Sequence, residues 1–156
     1  MWTYHNGFFV NSLTAGMPTI QYFSNPTKPK IMNISVLEIV EIVIKLIVGL
    51  SILNVWIINR NKPTPWRAKN TSNMQEEFAA YGLSKNVMII TGTLKCFCAV
   101  LLMISIFYPG VEWVGAAGIA LFMAVAISMH VKVGDPPKKS LPAAVFLLLS
   151  IVVVFI

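Results

Sequence analysis

Charge is scarce in this chain. Asp, Glu, Lys and Arg together make up 12% of its 156 residues, against about 25% in an ordinary soluble domain. Histidine and cysteine are scarcer still, with two of each. His5 and His130 lie far apart in sequence, and neither an HxxxH nor a CxxC pattern occurs. Those absences exclude the common zinc and haem-attachment signatures, and no metal site is expected. Cys96 and Cys98 are two residues apart in an apolar run. On a helix they point to nearly opposite sides, so no disulfide framework is implied. There is no glycine-rich phosphate loop, no nucleophile elbow and no paired-carboxylate site in a polar segment, so no catalytic residue can be assigned. The first 31 residues contain no continuous apolar run and no Lys or Arg before Lys28, and therefore lack the n- and h-regions of a signal peptide.

What the chain has in abundance is apolar sequence: 56% hydrophobic residues and a mean hydropathy of +0.74. That balance predicts a polytopic membrane protein of about four spans. The net charge of +6 then reads as positive-inside topology and anionic headgroups rather than as a nucleic-acid partner.

Four apolar segments stand out, at about 34–58, 86–108, 112–132 and 140–156. The expected fold class is all-α, a four-helix transmembrane bundle with a short interfacial amphipathic helix in the first loop. Ser72 and Gln75 suggest a capping box for that short helix, Glu76 and Glu77 suit its N-terminal dipole, and Met74, Phe78 and Tyr81 share one face. Ala116, Ala120, Ala124 and Ser128 repeat every four residues, a small-residue face suited to close helix packing. Residues 1–31 read as an irregular tail, able to fold back on the membrane surface through Trp2, Tyr4, Phe8, Phe9 and Tyr22. Met32 directly precedes the first apolar run, so translation from Met32 is an alternative start that would leave residues 32–156 as the whole domain. Loops 59–85 and 132–139 carry Arg60, Lys62, Arg67, Lys69, Lys85, Lys132, Lys138 and Lys139, whereas the other side has only Lys28 and Lys30. The asymmetry predicts that these loops face the cytoplasm.

The residues able to carry chemistry are the charges inside the apolar segments. Glu38, Glu41 and Lys45 fall on one stripe of the first segment at i, i+3 and i+7, with Glu41 and Lys45 spaced as a helical ion pair. Lys95 lies near the middle of the second. A charge at that depth costs about 2.5–3.5 kcal/mol on insertion scales and needs a partner or a function. One reading groups Glu38, Glu41, Lys45 and Lys95 into a polar site for a quinone headgroup, a proton or a small polar ligand. The other makes them an ion-pair network that fixes helix register. His130 and Asp135, in His-Val-Lys-Val-Gly-Asp-Pro-Pro at the end of the third segment, either cap a turn or shape the mouth of that site.

The ending His130-Val-Lys-Val-Gly-Asp135-Pro136 resembles that of the DoxX-like family of small four-helix membrane proteins. So do Phe78-Ala-Ala-Tyr-Gly82-Leu and the Gly92-Thr-Leu-Lys95 that follows. Asn54-Val-Trp56 and Thr64-Pro65-Trp66-Arg67 are similar to one bacterial subgroup, and the resemblance covers about residues 34–156. It implies a lysine in the first helix, which Lys45 supplies. It also implies a glutamate after the glycine of the second helix, where this chain has Lys95; Glu41 or Glu38 would supply the charge instead. The family takes its name from a subunit of an archaeal thiosulfate:quinone oxidoreductase, and an animal receptor chaperone has a similar His…Gly-Asp-Pro ending. The resemblance therefore implies two jobs. One is an accessory subunit of a quinone-linked redox complex in a bacterial inner (plasma) membrane, with quinone as its cofactor and no activity as a stand-alone enzyme. The other is a non-catalytic assembly factor for membrane proteins. The implied partners are the lipid bilayer and other membrane subunits or a second copy of the chain.

Overall fold

The computed structural model describes residues 2–5, 8–11 and 35–155. The chain divides into two units, Met1–Asn33 and Ile34–Ile156. In the first unit, where an irregular tail is expected, strands β1 (Trp2–His5) and β2 (Phe8–Asn11) pair antiparallel. Trp2 lies opposite Asn11 and His5 opposite Phe8. The reason is local: two short runs rich in aromatic and β-branched residues flank Asn6-Gly7, a strong hairpin signal. Tyr22 and the remainder of the expected surface segment lie outside the described residues.

The described part of the second unit is helical apart from its loops. Its α-helices are α1 (Val36–Leu53), α2 (Met74–Ala80), α3 (Lys85–Ile104), α4 (Glu112–Lys132) and α5 (Leu141–Phe155). Among the described residues three helical segments are long and apolar enough to cross a membrane: Lys85–Ile104, Pro109–Lys132 and Pro137–Phe155. The charged α1 is not among them. It begins with a complete capping box, in which Ser35 Oγ accepts from the Glu38 N–H and the Glu38 carboxylate accepts from the Ser35 N–H. It ends in a π-helical turn, Asn54–Ile58, closed by an Asn59 N–H to Asn54 carbonyl bond. The four long helices contact one another in cyclic order, α1 on α3, α3 on α4, α4 on α5 and α5 on α1.

Their shared core contains Val48, Ile52, Ala99, Leu102, Ala116, Ile119, Met123 and Val153. The packing face of α4 is not the four-residue repeat of small side chains, since Ala124 and Ser128 are exposed. Its buried positions are Gly115, Ala116, Ile119, Met123 and His130. A Cβ on Gly115 would sit 2.7 Å from the Leu102 nitrogen. The absent side chain, rather than a merely small one, brings the α3 and α4 backbones together. A second small cluster, Met74, Phe78 and Met88, seats α2 against α3. The N-cap of α2 is Asn73, one residue later than the sequence suggests. Its side chain accepts from the Glu76 N–H, and the Glu76 carboxylate reaches back to the Ser72 N–H. The outer faces carry large exposed apolar side chains, among them Leu37, Ile47, Leu50, Phe97, Leu121 and Leu148. An ordinary soluble monomer does not leave so much apolar surface uncovered.

Candidate functional site

The charged residues separate into two places. In the first, Lys45 Nζ lies 2.5 Å from Glu41 and 2.7 Å from Glu112. The Lys45 side chain is 3% exposed, so two carboxylates hold one buried ammonium at the start of α4. Glu112 is absent from the sequence reading. Its signal was its place as the acid that opens the third apolar segment. Glu38 takes no part, because its carboxylate is used in the capping box of α1 and is exposed.

Lys95 is elsewhere. Its ammonium lies 5.3 Å from the centre of the Trp56 ring and 5.9 Å from that of Phe122. Phe122 is ten residues beyond Glu112 on α4, or about 15 Å at 1.5 Å per residue. The expected grouping of Lys45 with Lys95 therefore does not form. A place near the middle of an apolar segment does not fix the level at which that helix packs against its neighbours. Trp56 reaches Lys95 from the π-helical turn, and its ring rests on Gly92, where any Cβ would collide with it. Among the described residues Lys95 has no carboxylate partner. It faces a cavity of about 490 Å³ whose wall includes Trp56, Phe122, Phe146, Tyr81 and His130.

Beside this cavity runs a connected set of polar groups. Tyr81 Oη donates to Glu77 Oε1 at 3.2 Å and lies 3.3 Å from His130 Nε2. His130 Nδ1 lies 3.0 Å from Asp135 Oδ2. Asp135 Oδ1 accepts from the Lys69 N–H at 3.0 Å and is 3.7 Å from Lys139 Nζ, which itself donates to Asn70 Oδ1 at 2.8 Å. Glu77 also accepts from Arg67 Nη1 at 2.9 Å and from the Ala68 N–H at 3.0 Å. Local rules place these groups. Helices α2 and α4 both end in Schellman motifs, with Gly82 and Gly134 at positive φ. The 6→1 bonds run from Leu83 to Phe78 and from Asp135 to His130. The second turns Asp135 back onto His130.

Environment sets the ionisation of two of these groups. Burial, reinforced by the neighbouring Glu77 carboxylate, pushes the Tyr81 phenol well above its ordinary 10.0. Burial alone would raise the Asp135 carboxyl. The Lys69 N–H, the His130 ring and the Lys139 charge outweigh it and hold the group below its ordinary 3.8. The Arg67–Glu77 pair spans a loop with no periodic pattern, so the sequence reading did not find it. From the sequence, Arg67 stands only among the basic loop residues and in Thr64-Pro65-Trp66-Arg67.

The family model for DoxX-like proteins matches residues 67–153, more than half of the chain and everything from Arg67 to the core residue Val153. The chain belongs to the DoxX-like family. No curated protein and no solved structure matches it. Membership, together with three apolar helices of spanning length, makes this DoxX-like chain a small integral membrane protein. The match takes in Arg67, Glu77, Tyr81, Lys95, His130 and Asp135, the polar groups in and beside the cavity. Helix α1 and Trp56 precede it.

Proposed function

We propose that this DoxX-like domain, residues 32–156, is a four-helix transmembrane bundle that holds a membrane-dissolved ligand for a redox complex. In this reading it is an accessory subunit rather than a stand-alone enzyme. Helix α1 completes the bundle because its charges are accounted for: Lys45 pairs with both Glu41 and Glu112, Glu38 caps the helix start, and Val43, Leu46, Ile47 and Leu50 remain exposed for lipid. Loops 59–85 and 132–139 face the cytoplasm of a bacterial inner membrane, supported by their excess of Lys and Arg.

One observation carries the ligand reading: an ammonium that has no carboxylate partner among the described residues, between two aromatic rings, facing a cavity. A quinone headgroup fits that wall. Lys95 would donate to a headgroup oxygen, Trp56 and Phe122 would flank the ring, and His130 with Asp135 would shape the opening. When bound, a quinone supplies reversible uptake of electrons and protons. The chain supplies the donor, the apolar enclosure and the fixed position. The test is the quinone content of the purified protein together with the respiratory phenotype of Lys95→Leu cells. Bound quinone lost in the variant, with impaired electron transfer to quinone, supports the reading. Purified protein without quinone, and an unchanged phenotype, defeats it.

The second reading is a non-catalytic assembly factor. It is favoured by the Glu41–Lys45–Glu112 network, in which three of the charges in the apolar segments pair with one another. It predicts a stoichiometric membrane partner and tolerance of substitution at Lys95.

A further inference from the structure

The charges on the cavity wall do not cancel. Arg67 is matched by Glu77 at 2.9 Å, and Lys139 by Asp135 at 3.7 Å. Among the described charged groups of the wall, Lys95 alone has no acidic partner. The residue is 8% exposed, so bulk water screens it poorly, and contacts with two aromatic rings offset the cost of a buried cation only in part. A neutral ligand oxygen would give this ammonium one hydrogen bond and leave its charge in place. An oxyanion would accept a charge-assisted bond and neutralise it. One unmatched cation suits one negative charge; a phosphate dianion would replace a surplus positive charge with a surplus negative one. The surrounding wall, including Ile52, Phe122, Val125 and Phe146, suits a hydrocarbon body.

We infer that the cavity selects an amphiphile whose headgroup is a single ionised oxygen acid, with Lys95 as its counter-ion. The inference rests on the reading of the cavity as a ligand site and deepens it by fixing the charge of the occupant. The headgroup oxyanion sits at Lys95 and the apolar body extends along the Phe122 and Phe146 side.

Trp56 is the reporter. The full chain carrying Trp2→Phe, Trp66→Phe and Trp113→Phe is placed in nanodiscs of zwitterionic phosphatidylcholine. It is titrated with chain-brominated stearic acid and, separately, with the methyl ester, while quenching of Trp56 emission is followed. The acid is expected to quench at a concentration at least about tenfold lower than the ester. Lys95→Met erases that preference and Lys95→Arg keeps it. Lys95→Gln serves where the Met variant does not reconstitute. Equal quenching by acid and ester, or a preference that survives both neutral substitutions, overturns the inference. Decylubiquinone as competitor separates this inference from the quinone reading. An acid preference in a protein from which the quinone displaces neither probe keeps the oxyanion site and removes the quinone. Displacement by the quinone without any acid preference does the reverse.

Discussion

Replacing Arg67 with Met should open the first loop. The guanidinium holds that loop together: Nε donates to the Lys62 carbonyl at 2.9 Å, Nη2 to the carbonyls of Asn59 at 2.8 Å and Arg60 at 3.1 Å, and Nη1 to Glu77 at 2.9 Å. Its side chain is 4% exposed and that of Glu77 11%. Removing one member of a buried ion pair costs about 3–5 kcal/mol, because the other charge is left unpaired. The bonds to the three carbonyls overlap with that figure and are not added to it. Lysine can reach Glu77 but cannot reproduce a planar fork that spans the carbonyls, so Arg67→Lys should lose about half as much. The assay is hydrogen exchange of peptides from residues 59–81 in nanodiscs, since local opening reports on this segment rather than on the whole bundle. The Met variant should exchange roughly 10²-fold faster or more. A double change, Arg67→Met with Glu77→Leu, should cost less than the sum of the two single changes by about 1–3 kcal/mol. Met-variant exchange close to wild type, or strict additivity in the cycle, refutes the clamp.

Four further outcomes are expected. Gly115→Ala places a Cβ 2.7 Å from the Leu102 nitrogen and 3.0 Å from its Cα; the obstacle is backbone, so α3 and α4 must separate, and bundle stability in a denaturation assay should fall by about 1–3 kcal/mol. Gly110→Ala, with nothing within 4 Å, should be near neutral in the same assay. Because the Asp135 carboxyl is held below 3.8, its contribution to stability is complete above that pH and is lost as pH falls through the lower folded value. Pepsin cleavage of the loop around Lys69 should therefore rise only on that acid side, and Asp135→Asn should cleave readily without that pH step. Finally, Lys95→Met removes a buried cation that has no acid partner among the described residues and should raise the thermal midpoint of ligand-free protein, a gain of about 1 kcal/mol or more. A lower midpoint would mean that Lys95 serves the fold rather than a ligand.

The long helices were legible because spanning length and apolar composition leave few alternatives, and the Glu41–Lys45 pair was legible from its spacing. Glu38 carried a competing signal, Ser35-x-x-Glu38 ahead of an apolar run, and capping took it out of the charged stripe. Lys95 and Lys45 separate because a place near the middle of an apolar segment does not fix the level at which one helix meets its neighbours: Lys45 meets the start of α4 at Glu112 and Lys95 meets it ten residues on at Phe122. Glu112 acquires its role only when distant segments meet, and Arg67 gathers its partners from within ten residues of a loop that has no periodic pattern. The repeat of Ala and Ser on α4 gave way to Gly115 because backbone contact needs a residue with no Cβ. The turn after His130 was legible from Gly134, but the contact between His130 and Asp135 was not, because it depends on how the Schellman motif turns the acid back.

The most direct test of the ligand-site account is native mass spectrometry of the intact chain released from its own membrane, wild type beside Lys95→Met. The account predicts one small amphiphile per wild-type chain and none on the variant, with both proteins folded. A ligand-free wild type that carries a stoichiometric membrane-protein partner, unchanged by Lys95→Met, would contradict it.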